Sequence, residues 1–136
     1  MKKLENLKSN KLWQLAVEIT EQCYGLIDDF PDEEKYGMQS KLRSRAFDMS
    51  SEIAEAAGAI DPRDVKWHLG LARQALFGLS NTLRLAQKTD YIEVPLDVLA
   101  KIKKLTELMD KEISLASENI PKWFKEMEPP QKGSRK

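Results

Sequence analysis

The chain has 136 residues, 41% hydrophobic and 32% charged, which is enough apolar material for one domain with a core and enough charge for long solvated faces. Lys and Arg number 22 and Asp and Glu number 22, so the zero net charge excludes a whole-surface attraction to nucleic acid or an anionic membrane and leaves only local patches. The single cysteine, Cys23, excludes an internal disulfide, and no apolar run approaches the ~20 residues of a membrane span.

The first eleven residues carry Lys2, Lys3, Lys8 and Lys11 against one acid, Glu5, and lack the apolar stretch of a signal peptide, so a cytoplasmic location is expected. In a segment from about Ser9 to Asp29, Leu12, Leu15, Ala16, Ile19, Cys23, Leu26, Ile27 and the following Phe30 recur at steps of three and four, the spacing of one helical face. Pro31 interrupts this pattern, because proline disfavours helix at the residue before it. A second helix is predicted from Asp32-Glu33-Glu34 to about Ala57, with Met38, Leu42, Ala46, Met49, Ile53 and Ala57 as its stripe. Acids suit the positive end of a helix, Gly58 suits its C-terminal stop, and Gly37 marks a bend after a short first turn.

The third start is the clearest: Asp61-Pro62-Arg63-Asp64 reads as an N-cap, a first-turn proline and a first-turn acid. Val65, Leu69, Ala72, Leu76, Leu79, Leu83 and Ala86 continue it as a heptad-like seam that fades near Lys88 to Asp90. A fourth helix begins near Pro95 with the stripe Leu96, Leu99, Ile102, Leu105, Met109, Ile113, Ala116 and Ile120, and Pro121 ends it. Trp123, Phe124 and Met127 predict a further short helix. Residues 129–136 lack core-forming side chains and read as a disordered basic tail, leaving 1–128 as the domain. No stretch alternates apolar and polar residues long enough for a strand. Short connections between long helices make neighbours antiparallel, so the predicted fold is all-α, an up-down-up-down four-helix bundle.

The stretch from Phe30 to Gly58 carries Phe30-Pro31, Glu33-Glu34, Tyr36-Gly37, Ser40, Arg43 with Arg45, and Ile53-Ala54-Glu55 in that order. Together with Leu12-Trp13-Gln14-Leu15-Ala16 and the run from Leu85-Ala86 to Asp90-Tyr91-Ile92, this resembles the four-helix-bundle family of proteins encoded in intervening sequences of 23S ribosomal RNA genes. The resemblance spans about residues 7–120. It implies a bundle that assembles into a ring-like homo-oligomer, a pentamer being favoured. The accessory protein of diversity-generating retroelements, a basic pentamer that binds a reverse transcriptase and nucleic acid, is more distantly similar. Glu52 stands where the family has Asn, and Ala56 where it has Gly. In the third helix, Phe77, Gly78 and Asn81 stand where the family tends to carry Gly, Ser and Glu. The exchange of Asn for Glu in one helix and Glu for Asn in the other suggests a Glu52–Asn81 hydrogen bond, since a buried polar group needs a partner.

Few residues suggest chemistry. One histidine, His68, gives no Glu-x-x-His pairs for a carboxylate metal centre, and Cys23 has no base beside it, so no catalytic, metal or cofactor site is read. From Val65 to Thr89 the third helix has Lys66, Arg73, Arg84 and Lys88 and no acid, a strip that suits phosphates or pairs with acids of neighbouring helices. The basic N-terminus and the segment from Pro121 meet at one end of a four-helix arrangement, forming either a basic rim or merely solvating tails. Arg43 and Arg45 suit phosphate, or an ion pair with Glu52 or Glu55. Trp13, Trp67, Phe77 and Trp123 suit either an oligomer interface or burial within the chain. The reading is a non-enzymatic, self-associating scaffold or interaction protein. The alternative is a nucleic-acid-binding accessory protein with RNA, DNA or a reverse transcriptase as partner.

Overall fold

Every regular element in the computed structural model, which describes residues 4–127, is helical, and no strand occurs among the described residues. Helix α1 spans Lys11–Leu26, α2 Met38–Gly58, α3 Pro62–Lys88, α4 Leu96–Glu118 and α5 Lys122–Met127. Short 3-10 segments occupy Leu4–Ser9, Ile27–Asp29 and Asp32–Glu34. None of the helices is long and apolar enough to cross a membrane. The tail 129–136, and with it Lys2 and Lys3, lies outside the described residues.

Local chemistry sets the helix ends. Asn10 caps α1 by accepting the Trp13 N–H at 3.0 Å, and Asp61 caps α3 by accepting the Arg63 N–H at 2.9 Å. The second long helix begins at Met38, six residues later than the acidic triad suggests. Asp32–Glu34 instead closes its own turn after Pro31, and the Glu34 carboxylate accepts the Met38 N–H at 3.1 Å across Gly37. The acids thus cap α2 from outside it. Helix α3 ends in a Schellman motif: Tyr91 N–H donates to Ala86 O at 2.9 Å and Asp90 N–H to Gln87 O at 3.1 Å. Asp90 occupies the left-handed position at φ 64°, where glycine is the unstrained residue.

The apolar stripes converge on one core. Leu12, Ala16, Ile19 and Cys23 of α1 meet Leu42, Met49 and Ile53 of α2, Leu69, Leu76, Leu79 and Leu83 of α3, and Val98, Ile102, Leu105 and Met109 of α4. Each fully buried Leu or Ile side chain contributes ~1.5–3 kcal/mol of transfer free energy. Helix α2 lies against α1 and α3, and α4 against α3 and α1. Contacting residues run in opposite order along α2 and α3, as with Arg45 at Gly78 and Glu52 at His68. Thr82, the buried polar residue, donates its hydroxyl to Gly78 O at 3.1 Å. Two stripe positions differ from the sequence reading. Leu96 is exposed because the α4 core register passes through Val98, two residues and about 200° further round the helix, and Ala56 rather than Ala57 is buried in α2.

Asp90→Gly removes the penalty for a side chain at positive φ while keeping both capping bonds. It is expected to raise stability by about 0.5–1 kcal/mol in urea unfolding, and no gain would show that Asp90 sits there without strain.

Candidate functional site

The chain presents three polar or cationic constellations on this frame. Between α1 and α4, Lys101 Nζ lies 3.3 Å from Glu18 Oε1 and 3.1 Å from Asp97 Oδ2 and donates to Gln22 Oε1 at 3.0 Å. Gln22 Nε2 donates to Asp97 Oδ2 at 3.0 Å, closing the network. Bonds from Gln22 and Lys101 lower the Asp97 pKa, and the bond to Asp97 raises that of Lys101. The four side chains engage one another across α1 and α4, a surface network that follows the register of the two helices rather than setting it.

The second constellation lies along the α2–α3 hairpin. Glu52 Oε1 is 2.7 Å from His68 Nδ1, and both side chains are half-buried. The Glu52–Asn81 pairing suggested by the sequence is therefore not formed. In the hairpin register Asn81 lines a cleft with Lys41 and Arg45, about 16 Å along α2 from Glu52 at 1.5 Å per residue. Arg43 and Arg45 also differ from the acid-pairing reading. Arg43 stacks on Tyr24 with 5.8 Å from Cζ to the ring centroid, and Arg45 lies across Gly78. A Cβ at Gly78 would stand 2.9 Å from Arg45 Nε, so a larger residue there would make the guanidinium shift.

The third is the outward surface of α3. Arg73 Nε donates to Asp110 Oδ1 at 2.6 Å, and its Cζ sits 4.6 Å from the Phe77 ring centroid. Arg84 donates to Ser80 Oγ at 3.3 Å. Lys66, Arg84 and Lys88 have no carboxylate within ion-pair distance among the described residues, so only Arg73 of the strip follows the pairing alternative. Trp67 is 65% exposed, Phe77 52% and Trp123 62%, whereas Trp13 is half-buried against the chain's own core and does not belong with them. Phe77 lines an open groove of about 610 Å³ between α3 and α4, with Leu99 and Ile102 as apolar floor and Arg84 and Lys103 on its walls.

The N-terminal 3-10 turn, the α2–α3 turn and the end of α4 meet at one end: Asn6, Ile60, Val65, Leu115 and Asn119 line a shared cleft there. Lys8 and Lys11 stand near this end, and α5 is held to it by Phe124, whose ring centroid is 4.0 Å from Arg63 Cζ. Arg63 also grips the Asp61 carboxylate through Nε and Nη2. No three His, Cys, Asp or Glu side chains among the described residues are placed to hold a metal ion. Cys23 is fully buried, and desolvation pushes its thiol pKa up to about 12, which keeps it protonated and unreactive.

A family model described as 23S rRNA-intervening sequence protein matches residues 8–115. Comparison with curated proteins gives no match.

The Asp61 carboxyl is lowered from 3.8 to about 2, first by the Arg63 side chain and then by the Arg63 N–H. A depressed folded-state pKa stabilises the fold above the unfolded value and loses that stabilisation as pH falls through the folded value. Asp61→Asn keeps a capping oxygen but removes the charge. Its melting temperature should lie below the parent's near neutrality and converge on it as pH falls towards about 2; a gap that stays constant with pH would show that the charge plays no part.

Proposed function

Because the chain belongs to the 23S rRNA-intervening sequence protein family, we propose that it works without catalysis, as a self-associating interaction protein of the cytoplasm. Its architecture in this reading is an antiparallel up-down-up-down four-helix bundle, and copies of the bundle assemble side by side into a ring, with five copies favoured by the family resemblance. The observation that carries the reading is the outward surface of α3. Trp67 and Phe77 are exposed there although the same helix has a complete apolar seam on its inward side. Large aromatics displaced from a filled core are characteristic of interface centres, where Trp and Phe are enriched and Lys is depleted. Light scattering on the full chain at micromolar concentration should give a mass several-fold that of the chain. Trp67→Ser with Phe77→Ser should shift it towards the monomer while far-ultraviolet circular dichroism stays helical. A strict monomer in the parent overturns the proposal.

A second reading is favoured by one specific observation: Lys66, Arg84 and Lys88 stand on α3 without carboxylate partners among the described residues, and no acid occurs between Val65 and Thr89. In that reading the strip meets the phosphates of RNA or DNA in a ribonucleoprotein or reverse-transcriptase complex. Binding measured across a salt titration should weaken linearly on a log–log scale, and each removed phosphate contact should reduce the slope by about 1. Absence of binding at low salt removes this reading.

A further inference from the structure

The cleft between α2 and α3 at Gly78 gathers two cations, Arg45 and Lys41, that no ion pair engages among the described residues. It measures about 430 Å³ and is lined by Lys41, Arg45, Asn81, Gly78, Met38 and Leu85 among others. The Arg45 side chain lies on the bare backbone of Gly78: a Cβ there would stand 2.9 Å from Nε, 3.1 Å from Cδ and 3.2 Å from Cζ. Arg63, Arg73, Lys101 and His68 each pair with a carboxylate, whereas Arg45 and Lys41 have no such partner among the described residues. Glu34, the acid that lines the same cleft, directs Oε1 to the Met38 N–H at 3.1 Å, so its carboxylate is held at the helix end and the lining carries two cations against one acid.

We infer that this cleft binds the phosphate of an organic phosphomonoester. Arg45 offers a planar fork that matches two phosphate oxygens, and Lys41, one turn away on α2, supplies a compact ammonium. Asn81, one turn beyond Gly78 on α3, supplies an amide N–H. Three donors on two packed helices suit the three terminal oxygens of a phosphomonoester; a carboxylate has only two. Met38 and Leu85 give the carbon body of the ligand an apolar wall. The site is complete within one chain and opens on the α2 side of α3, with Asn81 standing between it and the groove walled by Arg84 and Lys103.

The test is calorimetric titration of the full chain with phenyl phosphate at low salt, with benzoate as the comparison anion. One phenyl phosphate should bind per chain, at least about ten-fold tighter than benzoate, and Arg45→Gln should weaken it by about ten-fold or more. Gly78→Ala should also weaken it without any change of charge, because a methyl 2.9 Å from Nε makes the guanidinium shift from its place on the helix backbone. Alanine is the better helix former, so this variant should melt no lower than the parent. Equal binding of the two anions, no saturation, or parent-like affinity in a folded Gly78→Ala protein overturns the inference. Two arms separate the sources of phosphate. Displacement of phenyl phosphate by a 5′-phosphorylated oligonucleotide, but not by its 5′-hydroxyl counterpart, supports the site with a nucleic-acid end as ligand. Displacement by neither, with phenyl phosphate still bound, supports it with a small organic phosphate.

Discussion

The apolar seam between α2 and α3 is the contact on which the other arrangements depend. Leu42, Met49 and Ile53 bury against Leu76, Leu79 and Leu83, and a connection of only three residues joins the two helices. A short connection leaves little freedom of register, and a one-residue slip would rotate each stripe by about 100° out of the core. With the register fixed, Glu52 meets His68 and Arg45 falls across Gly78. Neither contact has enough energy to set the register itself: exposed charge pairs contribute ~0–1 kcal/mol, less than one buried leucine. The polar pairs are therefore consequences of the seam, and they decorate it at places that the packing chooses.

The neutral composition conceals an uneven layout. Helix α4 carries acids and bases together, and Asp110 on it neutralises Arg73 while Asp97 helps to hold Lys101. Helix α3 has no acid after Asp64, so the cations along it depend on its neighbours for neutralisation and mostly do not receive it. A surface cation in water carries little penalty for standing alone, so this pattern is compatible with the fold and supplies it no stability. The same distinction applies to Cys23. Its burial between neighbours of the α1 stripe raises its pKa and removes its chemistry, so the thiol serves as a small core residue.

Much of the fold was legible because helical periodicity is a property of neighbours in sequence. The α3 seam from Leu69 to Ala86 is buried throughout, and the Asp61-Pro62 start and the Lys88 end fall where cap chemistry places them. What was not legible depended on register between helices. A Glu52–Asn81 bond is reasonable as an exchange between two family positions, yet opposite residues in a hairpin are set by its turn, and the turn puts His68 opposite Glu52. The Asp32–Glu34 acids suited a helix start by charge alone, but Pro31 before them and Gly37 after them made a separate turn that caps α2 from outside. Lys101 gave no signal, because its partners Glu18 and Gln22 lie more than seventy residues away in sequence.

Helix α3 separates two roles by face. Its inward side is filled by residues whose exposure is close to zero, so their packing determines whether the chain stays folded. Its outward side carries Trp67 and Phe77, which contribute little to the chain's own burial. Keeping large aromatics in water is unfavourable for solubility and unnecessary for folding. In the proposed assembly these side chains act only when a partner covers them. Folding and association then depend on different atoms of one rigid helix, and the helix transmits the orientation of the core directly to the surface that a partner meets.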